Sequence, residues 1–489
     1  MKGYVLAIDQ GTTSTRSIVF DAQGRSCGAA SQEITQYYPQ PGWVEHDPDE
    51  IWNSVASTVP VALQAAAISP GDLVAIGLTN QRETVVAWDR HTGQSLGRAI
   101  VWQDRRTADF CRQHADQEPW LRQRTGLVLD PYFSASKMRY LLRQGSLPAG
   151  RILGTVDSFL LARLTGGRVL ATDRTNASRT LLANLHTAQW DADLLDFFQL
   201  PADVLPEIRP SAGDFGVTQG LDFLPDGIPI RGVAGDQQAA LFGQCAFEPG
   251  QAKCTYGTGA FYLQHLGSTP TLSQHRLLTT LAATADASVQ YALEGAVFVA
   301  GAAVQWLRDG LRLFRDAAEV EHLAQATQAG EVIFVPGFVG LGSPHWVPEA
   351  RGVLFGLTRG TTAADISRAT LEGVALQVAD LIEAAAQDAG QRLRVLRVDG
   401  GMARNHWFLQ CQADVLNLPV IPSPTNEATA LGAAFLAGLA SGVWPDQAAL
   451  LALSHDRNVF TPRLADATRE QMLRRWKRAV QAVIAFYRG

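Results

Sequence analysis

Short apolar runs that end in polar turns recur along the chain. The first run, Tyr4 to Ile8, ends at the string DQGTTSTR, and a second run follows from Ser17 to Phe20. Such runs predict two strands joined by a tight turn. A further strand is predicted from Leu73 to Leu78, directly before the polar string TNQRET. Because open α/β sheets bind ligands at the carboxyl ends of their strands, both polar strings are candidate binding segments.

The same pattern returns later in the chain. A strand predicted from Ile230 to Val233 leads into AGDQQ, and residues 251–264 predict two strands around the turn Tyr256-Gly257-Thr258-Gly259. The strand predicted from Val395 to Val398 leads into Asp399-Gly400-Gly401. The second hairpin echoes the first, which indicates an internal duplication of a strand–turn–strand unit within an α/β chain.

Periodic segments predict the helices between these strands. Asp47 is a candidate N-cap residue, Pro48 fits the first helical position, and Glu50 is expected to complete a capping box. An Ala- and Gly-rich helix, able to pack closely, is predicted over residues 428–440. The remaining predicted helices cover residues 300–312, 362–385 and 465–487.

Length and composition restrict the class of protein. A chain of 489 residues exceeds a single core, so we expect two domains, residues 1–244 and 245–489. A formal net charge of −6 argues against nucleic-acid binding. No apolar run is long enough to span a membrane, and the short first run does not fit a signal peptide. Five scattered cysteines favour reduced thiols. A cytoplasmic protein is expected.

Three turns carry candidate phosphate chemistry. In the first, hydroxyls and backbone N–H groups between Asp9 and Arg16 can surround a phosphate, and Asp9 can hold Mg²⁺ through water. The glycines of Tyr256–Gly259 and of Gly400-Gly401 allow close approach of the backbone to a ligand. Each turn alone is equally compatible with an ordinary tight turn. Together, at strand ends in both halves, they predict a nucleotide held between two domains.

A carboxylate and an ion pair carry the candidate acceptor chemistry. Asp236 follows a predicted strand, where it can accept a hydroxyl proton during phosphoryl transfer or cap the next helix. Arg82 and Glu83 offer a donor and an acceptor to the hydroxyls of a polyol, or form a structural ion pair. Trp102 and Phe261 can line the carbon side of a substrate, although core packing alone accounts for both.

At these residues the sequence resembles the FGGY carbohydrate kinases. The resemblance covers nearly the whole chain, and TNQRET with GDQQAALFGQ is typical of the members that act on glycerol. Further matching stretches are AIDQGTTSTRSIVFD, TYGTGAF, ALEGAVFVAGAAVQWLRD and RVDGGMARN. The resemblance implies two ribonuclease-H-like α/β domains of the actin-like ATPase fold, which face each other across a cleft that holds nucleotide and substrate.

The resemblance also implies a reaction and its residues. The reaction is ATP-dependent phosphorylation of glycerol to sn-glycerol 3-phosphate, the first step of glycerol degradation, with Asp236 as general base. Glycerol would contact Arg82, Glu83, Trp102, Tyr132, Asp236, Gln237 and Phe261. The nucleotide would contact Thr12, Thr13, Ser14, Arg16, Thr258, Gly301, Gln305, Gly401 and Asn405. Mg²⁺ would be held by Asp9 through water, and a homodimer or homotetramer is expected.

Two segments depart from the family pattern. Leu224 to Ile228 stands where some bacterial members carry a Gly-Thr-Arg loop that binds fructose bisphosphate. Ser211 to Phe215 contains no histidine, where other members carry one that is phosphorylated. Neither form of regulation is therefore expected. Two alternative functions stay open: another polyol or sugar kinase of the family, and an actin-like ATPase without phosphotransfer.

Overall fold

The computed structural model describes residues 3–145, 147–328, 330–425, 427–453 and 458–488. Strands β1 to β13 belong to the first half of the chain. They are Tyr4–Gln10, Ser14–Phe20, Ser26–Glu33, Glu45–His46, Leu73–Asn80, Val85–Asp89, Ala99–Ile100, Arg151–Thr155, Ala171–Asp173, Ala183–Asn184, Gln189–Trp190, Glu207–Arg209 and Ile230–Gly235. Strands β14 to β21 follow. They are Gln251–Tyr256, Ala260–Gly267, Leu278–Leu281, Tyr291–Val297, Ile333–Val335, Val353–Phe355, Val395–Asp399 and Val420–Pro422.

The helices α1 to α15 lie between and after the strands. They are Pro48–Ala65, Ala108–Gln113, Glu118–Thr125, Ser134–Arg143, Val156–Leu164, Arg174–Ala177, Ala192–Phe198, Asp236–Gly243, Gly301–Gln305, Glu319–Gln325, Ala363–Ala389, His406–Leu416, Ala428–Ala440, Gln447–Ala452 and Asp466–Arg488. None of those in the described part of the chain combines the length and apolar character that a membrane crossing requires.

The described residues form two large sheets of matching design. The first has the order β13-β5-β1-β2-β3, with β1 antiparallel to β2 and parallel to β5. The second has the order β16-β17-β15-β14-β20-β21, with β14 antiparallel to β15 and parallel to β20. In each sheet a hairpin is thus extended by parallel strands on one side, as the predicted duplication requires.

Helix α13 packs closely against the first sheet and α8. A Cβ on Gly77 of β5 would lie 2.2 Å from the Ala433 carbonyl, and one on Gly243 would lie 2.1 Å from the Ala428 carbonyl. Only glycine permits such close approach of two backbones. The predicted close packing of this Ala- and Gly-rich helix is confirmed, although its partners Gly77 and Gly243 lie at least 185 positions earlier in the chain.

Two local predictions were wrong. Asp47 caps α1 by accepting from the Asp49 N–H, but the Glu50 carboxylate accepts from the Thr35 N–H and the Tyr37 hydroxyl, so no capping box forms. The Glu50 carboxylate thus accepts hydrogen bonds from residues 13 and 15 positions earlier in the chain, and not from the N–H groups at the start of its own helix. Of the helix predicted over residues 300–312, only Gly301–Gln305 is α-helical. The next residues, Trp306–Gly310, form a π-helical turn.

Candidate functional site

The topology of the first sheet brings Asp236 and Arg82 together. Strands β5 and β13 are parallel neighbours, so the residues that follow them emerge at the same edge. Arg82 and Glu83 come shortly after Asn80, the last residue of β5, and Asp236 comes directly after β13. Arg82 Nε lies 3.1 Å from Asp236 Oδ1. Two residues 154 positions apart in the sequence (82 and 236) thus form an ion pair at the strand ends.

Two further charged residues complete what we call the acceptor cluster: Arg82, Glu83, Arg179, Asp236 and Glu294. Glu294 accepts from Arg82 Nη1 at 2.5 Å, from Arg82 Nη2 at 3.2 Å and from Arg179 Nη2 at 2.9 Å. Arg179 Nε donates to Glu83 Oε1 at 2.7 Å. All except Asp236 are buried. Asp236, whose side chain is 31% exposed, is the member open to a ligand.

Burial and ion pairing have opposite effects on the pKa values of the carboxylates in this cluster. Although burial alone raises the pKa of Glu294, Arg179 and Arg82 hold that pKa at about 2. Burial raises the pKa of Glu83, and the two arginines offset it only in part. The backbone of Glu83 is left-handed, with φ +61°. Non-glycine residues rarely adopt this conformation, and strain of this kind is typical of functional sites.

Aromatic side chains lie beside the cluster. The rings of Trp102 and Tyr132 meet edge to face with centroids 5.6 Å apart, and the Arg179 guanidinium lies 5.7 Å from the Tyr132 ring. The buried Lys137 Nζ donates to the Tyr132 carbonyl at 2.7 Å, which fixes the backbone there. Burial lowers the pKa of Lys137 to about 7. Trp102 Nε1 donates to Thr12 Oγ1 at 2.9 Å and so connects this side to the first turn.

One face of the second sheet meets the acceptor cluster. The strand register places Lys253, Thr255, Phe261 and Glu294 on the same face. From this face Lys253 Nζ donates to the Gln237 side-chain oxygen and, at 2.9 Å, to Thr255 Oγ1. Lys253 is fully buried, and burial lowers its pKa. Two of the residues predicted to contact glycerol are placed by this face. Gln237 is contacted by Lys253 from the second half of the chain, and Phe261 lies on β15, the strand next to that of Glu294.

The first turn, Gly11–Ser14, connects β1 and β2. Gly11 N donates to the Ser14 carbonyl at 2.9 Å, while the Thr13 side chain is exposed. Arg16 stands opposite Asp9 in the strand register and pairs with Glu427 at 3.1 Å. Thr13 and Arg16, two of the residues predicted to contact phosphate, are thus exposed and accessible to a ligand.

Asp9 lies at the same sheet edge as Asp236. Burial, and then the charge of Asp236, raise the pKa of Asp9 to about 7, against the lowering effect of Arg16. A cation at this place would stabilise the charged form of the Asp9 carboxylate. The chemistry of these side chains therefore fits a hydrated Mg²⁺.

The turns of the second half come together at one place. Gly301 N donates to the Gly257 carbonyl at 2.9 Å, and Ala300 N donates to the Thr258 carbonyl at 2.8 Å. A Cβ on Gly400 would lie 2.4 Å from the Tyr256 carbonyl. The turns Tyr256–Gly259 and Gly400–Gly401, which together with Gly11–Ser14 we call the nucleotide turns, are thus built from backbone in close contact.

The remaining predicted nucleotide residues surround these turns. Gly401 is exposed, and a Cβ placed on it would meet nothing within 4 Å. Asn405 caps α12 by accepting from Phe408 N at 2.8 Å, which leaves its amide N–H groups free of this role. Gln305 is exposed at the end of α9. Open space beside Gly401 fits a ligand such as a nucleotide.

Arg179, Lys253 and Glu294 are three of the buried charged residues that sequence reasoning missed. Each stands among apolar or small neighbours, in NASRTLLA, GQAKCTY and YALEGAV. A lone charge in a run that otherwise predicts a buried strand or core segment has to be paired when it is buried. That signal could have marked all three as candidates, although it would not have identified their partners.

The paired sheets, with polar strand ends at the acceptor cluster and the nucleotide turns, have the architecture of a two-domain phosphotransferase. The models of the N-terminal and C-terminal domains of the FGGY family of carbohydrate kinases match residues 4–243 and 252–441, respectively. The chain therefore belongs to the FGGY family of carbohydrate kinases, and the recognition made from the sequence is confirmed.

The chain is similar to curated and solved members of this family. It is 51% identical to the glycerol kinase of Halorhodospira halophila over 98% of this chain and 96% of the relative. It is 47% identical to that of Lactococcus lactis, over 99% of both. The Plasmodium falciparum glycerol kinase structure with ADP has a TM-score of 0.92 at 35% identity, covering 99% and 98%. The predicted two-domain α/β fold is confirmed.

Proposed function

We propose that this protein transfers the γ-phosphoryl group of ATP to a terminal hydroxyl of glycerol, giving sn-glycerol 3-phosphate and thereby starting glycerol degradation. One observation carries the proposal: Asp236 is the accessible carboxylate of a buried charge cluster, 3.1 Å from the Arg82 guanidinium. The curated glycerol kinases to which the chain is about half identical support the choice of acceptor.

In this proposal Asp236 accepts the proton of the attacking hydroxyl. A positioned general base contributes about 10²–10⁴-fold to such a transfer. Arg82 and Glu83 bind the glycerol hydroxyls through one donor and one acceptor that burial keeps away from water, with Tyr132 and Gln237 as further hydrogen-bonding partners. The rings of Trp102 and Phe261 line the carbon side of glycerol.

The nucleotide turns hold ATP in the same proposal. Thr12, Thr13, Ser14 and Arg16 contact its phosphates, and the exposure of Thr13 and Arg16 supports this assignment. Thr258, Gly301, Gln305, Gly401 and Asn405 contact the rest of the nucleotide. Asp9 would hold the hydration shell of Mg²⁺, which would neutralise charge on the phosphates.

The two halves divide the work. Residues 1–244 form the glycerol-binding domain with the general base, and residues 245–489 form the ATP-binding domain. Closure of the cleft between them excludes water, which limits ATP hydrolysis. We further propose that the enzyme acts in the cytoplasm as a homodimer or homotetramer and binds neither membranes nor nucleic acid.

A coupled assay of ADP release with Mg²⁺ and ATP tests the proposed function. We expect release that requires an acceptor, with kcat/KM higher for glycerol than for xylulose, erythritol or gluconate. A higher kcat/KM for xylulose would instead favour a sugar kinase. ATP hydrolysis that glycerol leaves unchanged, with no phosphorylated product, would favour an ATPase without phosphotransfer.

A further inference from the structure

Glu294 reaches the acceptor cluster from the second half of the molecule. It lies on β17 in the six-stranded sheet and is only 4% exposed. Both of its carboxylate oxygens are used by arginines of the first half, at 2.5 and 3.2 Å from Arg82 and at 2.9 Å from Arg179. This buried ion pair therefore spans the two halves at the place where the polyol is proposed to bind.

The contacts of Arg82 show what Glu294 controls. An arginine has five N–H donors in a rigid fork. Glu294 takes one donor on each terminal nitrogen, and Gln238 Oε1 takes a second on Nη1 at 3.1 Å. These contacts leave Nε, which lies 3.1 Å from Asp236 Oδ1, and one N–H on Nη2. Glu294 thus fixes the plane of the fork by holding both terminal nitrogens, and a donor on Nη2 remains for a ligand.

The charge balance leads to the same residue. Arg82 and Arg179 carry two positive charges, and Glu83 and Glu294 carry two negative charges, so the buried part of the cluster is neutral. Without Glu294 one positive charge is left over, and Asp236, already 3.1 Å from Arg82, is the nearest accessible carboxylate to compensate for it. Arg82 would then keep its contact with Asp236 but lose the carboxylate that holds both of its terminal nitrogens.

A purely structural ion pair is a weaker explanation. Buried ion pairs stabilise proteins little, because desolvation offsets their attraction, and apolar residues of similar volume serve as well. The neighbours of Glu294 on β17 that share its face are small, Ala292 and Ala296. Its contacts are aimed at Arg82 and Arg179, and both of these contact or neighbour the strained Glu83.

We propose that Glu294 is a positioning residue, which orients Arg82 for the polyol from the opposite half of the molecule. This inference rests on the proposed glycerol phosphorylation. Because Glu294 and Arg82 lie on different halves, the acceptor site is correctly formed only when the halves are together.

The test compares Glu294→Gln with the wild type and with Glu372→Gln. Glu372 is a suitable control, since it also pairs with an arginine, Arg368 at 2.8 Å, but within one helix and outside the site. For Glu294→Gln we expect kcat/KM for glycerol to fall about tenfold or more, as for a lost hydrogen bond to a charged group. The KM for ATP should change less than about twofold, and Glu372→Gln should behave as wild type.

The two propanediols distinguish loss of Arg82 positioning from a general loss of activity in Glu294→Gln. Each of the two isomers lacks one glycerol hydroxyl, so the isomer without the hydroxyl that Arg82 contacts should lose little activity in Glu294→Gln. An equal loss for glycerol and both diols would contradict positioning, as would kinetics within twofold of wild type. Should Glu294→Gln not fold, Glu294→Asp, with the charge on a shorter chain, carries the same comparison. A wild type inactive on glycerol would refute the proposed function itself.

Discussion

The acceptor cluster and the nucleotide turns are built in opposite ways. Arg82, Glu83 and Arg179 are at most 3% exposed, and each meets at least one charged partner. In the nucleotide turns, by contrast, Thr13, Thr258 and Gly401 are exposed, and the shape of the turns comes from backbone hydrogen bonds. In the proposed function, the acceptor cluster therefore binds glycerol mainly with buried side chains, and the nucleotide turns bind ATP largely with groups held by the backbone.

This difference predicts how each region responds to substitution. In the cluster a changed side chain leaves a buried charge without its partner, which is costly. In the nucleotide turns a changed side chain leaves the backbone donors in place, so only substitutions that alter the backbone or fill the ligand space should matter. The acceptor cluster should therefore determine which polyol is phosphorylated. Phosphate binding by the nucleotide turns should tolerate most side-chain substitutions.

The largest effect is expected for Asp236→Asn. The amide cannot accept the proton, so kcat with glycerol should fall about 10²–10⁴-fold while the KM for ATP stays near its wild-type value. Steady-state ADP release measures both constants. Asp214→Asn is the matched control, because Asp214 also pairs with an arginine, Arg231 at 2.8 Å, but on the exposed surface. Near-normal turnover of Asp236→Asn would refute the assignment of the base.

Arg82→Lys should have the second largest effect. Lysine keeps the positive charge but lacks the fork that contacts Glu294 and Gln238 and that is proposed to contact the polyol. We expect kcat/KM for glycerol to fall about 10–100-fold. Arg231→Lys, which alters an exposed pair with Asp214, serves as the control. A loss in Arg82→Lys no greater than in this control would mean that the charge alone is sufficient.

The local parts of this picture could be predicted from the sequence. The hairpin from Tyr4 to Phe20 and the strand ending before Asp236 depend on short apolar runs and on adjacent turn residues, so their patterns are visible within ten or twenty residues. The turn Tyr256–Gly259 was found in the same way. Their positions at strand ends then indicated where ligands would bind.

The pairing of buried charges could not be predicted. Glu294 meets Arg82 across 212 residues of sequence and Arg179 across 115, and no local pattern records such a contact. The same limit explains Glu50, which local rules assigned to a capping box and the structure pairs with Tyr37. Where tertiary partners compete with local ones, sequence rules name the residue but not its partner.

A pair of neighbouring glycines tests the backbone character of the nucleotide turns. Gly400 has φ +87° and no room for a Cβ, so Gly400→Ala should lower the melting temperature and reduce all activities together. A Cβ on Gly401 meets nothing in the protein, so Gly401→Ala should melt as wild type. If the nucleotide fills that space, the KM of Gly401→Ala for ATP should rise about tenfold, while the KM of this variant for glycerol should stay unchanged. An unchanged KM for ATP would place the nucleotide elsewhere.

The smallest effect is expected at the exposed ion pair of Arg16 and Glu427, whose side chains are 47% and 28% exposed. Like Arg82 and Glu294, this pair joins residues far apart in the chain, but solvent screens it and such pairs contribute only about 0–1 kcal/mol. Glu427→Gln frees Arg16 for phosphate, so the KM for ATP should fall by no more than about fivefold, and about 0.5 M NaCl should reduce the difference. Arg16→Gln should raise the KM. A loss for Glu427→Gln as large as that for Glu294→Gln would show that burial does not distinguish the two pairs, and the contrast between the two regions would fail.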